Sequence, residues 1–166
     1  MIFIQQSIDL IKVFTISLLP NKFKNLGWFL IIPGFFLSIL RFYYGLKLTI
    51  FDIKVFAIYS SYIDTKYFSV IENHVSEEIA GTLLLLGLLI LAFHKEKEET
   101  DIIVRIRYES LLTSLMINSA FILASLLFVF GIGFVEMMII NIFSQLILFI
   151  VVFRLKMFRH IHKFKK

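Results

Sequence analysis

The strongest constraint in this sequence is a pair of long apolar runs separated by three residues. Leu111–Phe130 contains no charged side chain, and Phe134–Phe153 contains one, Glu136. Each run is 20 residues long. About 20 residues, at a rise of about 1.5 Å each, is what a helix needs to cross a hydrocarbon layer of about 30 Å. Only Gly131-Ile132-Gly133 lies between them. A single helix through both runs would overshoot a bilayer about twofold, so the glycines are read as a tight reversal and the runs as antiparallel spans.

Two shorter runs, Leu26–Leu40 and Ile79–Phe93, have apolar cores of 15 residues. Their flanks complete them. Arg41 can snorkel while Phe42, Tyr43 and Tyr44 sit at the interface, and Glu77 and Glu78 fall at headgroup level. The chain is 59% hydrophobic, with 20 phenylalanines among 166 residues. A soluble domain of this size buries only about two thirds of its area, too little to hide that surface. The expected fold class is therefore an all-α membrane protein with four transmembrane helices, over residues 25–48, 77–94, 109–130 and 134–155.

The stretches between spans have distinct characters. In residues 1–19, Gln5, Asp9 and Lys12 share one helical face among apolar neighbours, which suits a helix lying in the membrane interface. As a fifth span it would carry Asp9 and Lys12 near its centre, at about 3 kcal/mol each. No secretory signal is expected, since a basic start and an A-x-A-like cleavage site are missing. Residues 49–76 alternate over Phe51-Asp52-Ile53-Lys54-Val55, which favours a short β-hairpin turning at Ser60-Ser61 or Asp64-Thr65. Its aromatic residues would need to rest on the helices or on lipid. Residues 95–108 read as a linker helix continuous with the third span, supported by i,i+4 pairs such as Asp101–Arg105 and Arg105–Glu109, or equally as a solvated loop leading into it, and residues 156–166 read as a basic tail.

Charge sets the expected orientation. With the chain start inside, 13 of the 17 lysines and arginines fall on the inner side, and Arg41, Lys47, Lys54 and Lys66 fall outside. This is the asymmetry that the positive-inside rule describes, so both termini are expected to be cytoplasmic. The bases collect beside apolar segments, which points to anionic lipid headgroups rather than nucleic acid as their partner.

Candidate sites follow from polar residues in unusual places. Asn118 lies near the middle of the third span, Asn141 and Gln145 one turn apart in the fourth, and Glu136 at its outer mouth. Such residues usually face protein or water. They are read as interhelical hydrogen bonds, with Glu136 anchored by a base such as Arg41, rather than as an ion path. Arg105, Arg107, Glu109 and Arg154 form a candidate cytoplasmic interface, in which Glu109 is expected to face Arg154 or Arg105 because their depths match. His160 and His162 do not share a helix face and have no carboxylate nearby, so they are read as part of the lipid-binding tail and not as a metal site. Gly27, Gly34, Gly81 and Gly87 suit close helix packing. The sequence contains no cysteine, no H-E-x-x-H, no G-x-S-x-G and no phosphate-binding glycine loop. No enzyme activity, catalytic residue, metal or cofactor is expected.

Three further stretches stand out together. They are Pro20–Trp28 (PNKFKNLGW), Glu77–Gly81 (EEIAG) leading to Ala92–Lys97 (AFHKEK), and Ile106–Leu111 (IRYESL) with the later Asn141-Ile142-Phe143. In these the chain resembles an uncharacterised family of small bacterial four-helix integral membrane proteins. The similarity covers residues 20 to about 155, with His94 where serine is usual. It implies a bacterial inner-membrane location and carries no activity. The expected function is that of a membrane interaction, scaffold or small sensory accessory protein with a cytoplasmic or membrane protein partner. A component of a small transporter or channel is the alternative, and oligomeric state is open.

Overall fold

The computed structural model describes residues 18–47, 49–61 and 65–164. The expected interfacial helix over residues 1–19 lies outside the described residues except for Leu18 and Leu19. Helix α1 spans Lys24–Ser38, entered through a 3-10 turn Asn21–Phe23 and extended by a π turn Ile39–Tyr43. Strands β1 (Asp52–Ser61) and β2 (Thr65–His74) follow, then α2 (Ser76–Phe93), α3 (Asp101–Phe128) and α4 (Ile132–Phe164). Among the described residues, four segments are long and apolar enough to cross a membrane: Asn21–Tyr43, Ser76–Phe93, Asp101–Phe128 and Ile132–Ile161. That is the signature of a multi-pass membrane protein. The hairpin expected between the first two spans forms as a two-stranded antiparallel sheet.

The chain divides into two compact units. One holds the described residues up to Leu26 together with those from Leu88 onward, and the other holds Gly27–Gly87.

In the Gly27–Gly87 unit, α1 and α2 approach closely at glycines. A Cβ on Gly87 would lie 2.6 Å from Ile31 Cγ1 and 2.9 Å from the Gly27 carbonyl oxygen, and one on Gly34 would lie 3.0 Å from Leu83 Cβ and from the Leu84 nitrogen. Lipid offers no hydrophobic drive for two apolar helices to associate, so close contact of small residues has to supply the attraction. Pro33 sits inside α1, and such prolines are tolerated in membrane helices where neighbours compensate the lost bond. Arg41 pairs with Glu77 at 2.7 Å, joining the end of α1 to the first turn of α2. The hairpin register runs from Asp52 opposite His74 to Ser61 opposite Thr65, and residues 62–64 between the strands lie outside the described residues.

In the other unit, α3 and α4 pack as an antiparallel pair. At about 1.5 Å per residue they are about 42 Å and 50 Å long, well beyond the thickness of a bilayer core. The charged residues 95–100 form no regular helix. The expected linker helix instead begins at Asp101 and is continuous with α3, while the basic tail continues α4 as far as Phe164. The reversal covers residues 129–131, two residues earlier than the glycines suggest. Gly131 takes a left-handed φ of +69°, its carbonyl accepts from the Phe134 N–H, and Ile132 already starts α4. The face α3 turns inward carries Ile106, Ser110, Ser114, Asn118 and Ser125. Ser110 and Ser125 each bond the carbonyl four residues back, and Ser114 the carbonyl three back, so small hydroxyls are buried there without an orphaned donor. Aromatic rings close the core, with Phe149 stacked between Phe93 at 6.0 Å and Phe153 at 6.1 Å.

Substitution Gly87→Ala should destabilise the protein by about 1–3 kcal/mol, because the new methyl meets backbone as well as side chain. Gly133→Ala, whose nearest neighbour would be Val129 Cγ1 at 3.6 Å, should be close to neutral. Denaturation of the two variants in one detergent compares them.

Candidate functional site

The last turn of α2 ends in carbonyls that no helical N–H can reach. Three donors from three parts of the chain satisfy them. The Leu19 N–H donates to the Phe93 carbonyl at 3.0 Å. The Arg107 guanidinium donates to the Ala92 carbonyl at 3.3 Å. His94 Nδ1 lies 2.8 Å from the Leu91 carbonyl, which places its proton on that nitrogen. The Lys95 N–H returns a bond to the Leu19 carbonyl at 2.8 Å, and Asn21 Nδ2 donates to the Lys95 carbonyl at 2.8 Å. Cationic groups suit this end, because the aligned peptide dipoles leave partial negative charge there.

Around this cap sits a compact ion network. Arg107 is almost buried, reaches both Glu99 oxygens at 3.1 and 3.3 Å, and lies with its guanidinium carbon 4.6 Å from the Phe153 ring centre. Glu99 also accepts the Glu96 backbone N–H at 2.9 Å. Arg154 lies 2.8 Å from Glu96 Oε1 and 3.4 Å from His94 Nε2. With its proton on Nδ1, His94 presents a lone pair at Nε2 to Arg154, the geometry of a neutral ring. Burial lowers its pKa from the ordinary 6.5, with Arg154 and Lys24 adding to the effect and the Leu91 carbonyl and Glu96 opposing it. Glu96 Oε1 is 3.6 Å from Nε2 and is the partner a protonated ring would take. The network thus ties residues 94–100 to α3 and α4.

The residues expected at the interface divide here. Arg105 bonds Glu109 at 3.0 Å and is open to the surroundings. Arg107 does not belong to an open surface; it is turned inward as the clamp. Arg154 does not meet Glu109. The α4 base nearest that carboxylate is Lys156, at 4.0 Å, whose Nζ also donates to Thr113 Oγ1 at 3.2 Å. Equal depth does not fix direction around the axis, since Arg154 and Lys156 are about 200° apart on a helix. An open cleft of about 690 Å³ lies beside the network, lined by Asn21, Lys22, Lys24, Asn25, Glu96, Lys97, Glu98, Ile103 and Met157.

Deeper along the helix pair runs a polar seam. Ser144 donates to Asn118 Oδ1 at 2.6 Å, and the amides of Asn118 and Asn141 face each other at 3.4–3.5 Å. Gln145 Nε2 reaches Ser114 Oγ at 3.3 Å. Asn118, Asn141 and Gln145 are therefore brought together as interhelical bonds. Glu136 is not among them. It is exposed on the first turns of α4, and Arg41, suggested as its anchor, pairs with Glu77 instead. Sequence reading missed Ser114, Ser144, Glu96 and Glu99. The spacing of four residues in Ser110, Ser114 and Asn118 was the available signal for one of them, whereas loop acids carry no such pattern.

Comparison with protein-family models finds no match, and comparisons with curated proteins and with solved structures find none either.

Breaking the clamp should be costly. Arg107→Met leaves a Glu99 carboxylate nearly buried without its base, and should cost about 3–5 kcal/mol. Arg105→Ala, at an exposed pair, should cost under about 1 kcal/mol. Urea titration in detergent measures both.

His94 generates a pH dependence of definite sign. With its pKa lowered on folding, the unfolded chain binds more protons as the pH falls below 6.5, so stability declines through that window and stops declining below the folded pKa. Thermal midpoints should drop on acidification from neutrality, and His94→Gln should remove that part of the drop.

Proposed function

We propose that this is a membrane-embedded interaction protein, a scaffold or small sensory accessory, which receives a cytoplasmic partner on the surface around Arg105, Tyr108 and the lysine-rich cleft. One observation carries the reading: Arg107 on α3 and Arg154 on α4 are braced by Glu99 and Glu96 of the loop 94–100, while Arg105 and Tyr108 remain exposed beside them. A braced surface loses little conformational entropy on binding, which favours recognition. Polar groups at depth support the same reading. Asn118, Asn141, Ser144 and Gln145 bond one another across the helix pair, whereas a conduit needs polar groups turned to a water path. The buried Gln145 Oε1, which takes no hydrogen bond among the described residues, is the observation that favours the transporter or channel alternative.

The orientation belongs to this proposal too. The lysine and arginine asymmetry supports both termini facing the cytoplasm, and the resemblance to small bacterial four-helix membrane proteins supports a bacterial inner membrane. Basic residues along the end of α4 fit anionic headgroups. No catalytic role is assigned.

A photoreactive amino acid at Tyr108 in native membranes should crosslink to a water-soluble protein, and Arg105→Glu should reduce the yield several-fold. Ion flux through vesicles reconstituted with the protein, sensitive to Asn118→Leu, would overturn the reading in favour of a conduit.

A further inference from the structure

The β-hairpin carries an exposed apolar patch. Strand alternation places Asp52, Lys54, Phe56 and Ile58 on one face of β1, and the register puts His74, Glu72 and Val70 opposite the first three. Phe68 joins them, its ring 6.5 Å from that of Phe56. The face is divided along its length. Its base is charged and self-paired, Asp52 with His74 at 2.7 Å and Lys54 with Glu72 at 3.6 Å. Beyond the base, Phe56, Ile58, Phe68 and Val70 are 64, 64, 72 and 66% exposed. Phe68 has a φ of +46°, which a bulky residue rarely adopts, yet the pairing continues in register on either side, Ala57 with Ser69 and Tyr59 with Tyr67. Four large apolar side chains grouped this way mark an interaction surface.

The attachment of the hairpin identifies what covers it. A single residue, Val75, separates β2 from the membrane-crossing helix α2, and its N–H bonds the Phe51 carbonyl at 3.0 Å. Asn73 Nδ2 donates to Glu78 Oε1 at 3.1 Å in the first turn of that helix. At the other end, the chain leaves α1 through exposed Phe42, Tyr43 and Tyr44, the aromatic residues that settle at headgroup level. The base of the hairpin is thus held where the spans meet water, and the bilayer is the apolar surface within its reach. Ten residues of strand extend about 34 Å. Held upright, the patch would stand in water; laid down, it reaches lipid. Hydrocarbon depth is closed to it, because among the described residues the sheet has only two strands, and the outward backbone groups of such a sheet call for water or headgroups.

We propose that the hairpin lies in the membrane–water interface with Phe56, Ile58, Phe68 and Val70 against the lipid, as a second, non-spanning membrane contact. The burial this provides is what an isolated two-stranded sheet otherwise lacks.

The chain has no cysteine, so single nitroxide labels report position directly. Phe56→Cys, Val70→Cys and, on the opposite face, Tyr59→Cys are labelled in the full chain, in vesicles of phosphatidylcholine with a minority of phosphatidylglycerol. The ratio of oxygen to nickel-chelate accessibility should be several-fold higher at 56 and 70 than at 59. Equal, nickel-rich exposure at all three would overturn the proposal. Protection from both reagents with dipolar broadening between labels would overturn it in favour of a second copy of the chain. As an independent reading, Ile58→Trp in a Trp28→Phe chain should lose most of its fluorescence to brominated phosphatidylcholine and little to aqueous iodide; the reverse pattern would also overturn it.

Discussion

The unit formed by α3, α4 and the end of α2 depends on how one helix stops. A span that ends near hydrocarbon exposes carbonyls that must be satisfied locally, and α2 ends at Phe93 with no glycine or proline to shape a conventional stop. Its last carbonyls are met by a backbone N–H from Leu19, a ring nitrogen from His94 and a guanidinium from α3. Each donor brings its own segment with it. Leu19 holds the approach to α1, Arg107 holds α3, and the pairs Glu99–Arg107 and Glu96–Arg154 fasten residues 94–100 to α3 and α4.

This arrangement separates two kinds of polarity. At the helix ends, charges are paired, partly buried and fixed. At depth, neutral amides and hydroxyls bond across the α3–α4 contact, where each bond contributes about 0.6–2 kcal/mol. The shortest of these bonds, from Ser144 to Asn118, is 2.6 Å, while the Asn118–Asn141 amides stand at 3.4–3.5 Å. The hydroxyl therefore orders the pair more than the two amides do.

Hydropathy made the spans legible, because length and absence of charge are direct physical requirements of a bilayer. The hairpin was legible from five alternating residues at its start, although the period is lost before its turn. The glycine contacts could be anticipated at Gly34 and Gly87, since only a missing Cβ lets two backbones approach so closely. Where two segments must find each other without periodicity, the sequence was silent. Glu96 and Glu99 sit in a mixed charge run that reads equally as a solvated loop or as the start of a helix, and only the fold shows that they face inward. Glu109 was expected to face Arg154 or Arg105; Arg105 takes that place, and depth, which brought Arg154 into consideration, does not give direction around the α4 axis.

Helix α4 is one uninterrupted rod from Ile132 to Phe164, and this has a mechanical consequence. Asn141, Ser144 and Gln145 in its first half and Arg154 and Lys156 further along share a single rigid body. A twist of this rod by one residue is about 100°, enough to carry Arg154 off Glu96 and Lys156 off Thr113 in the same motion. A rotation of α4 as a body therefore strains the bond to the loop and the bond to α3 together.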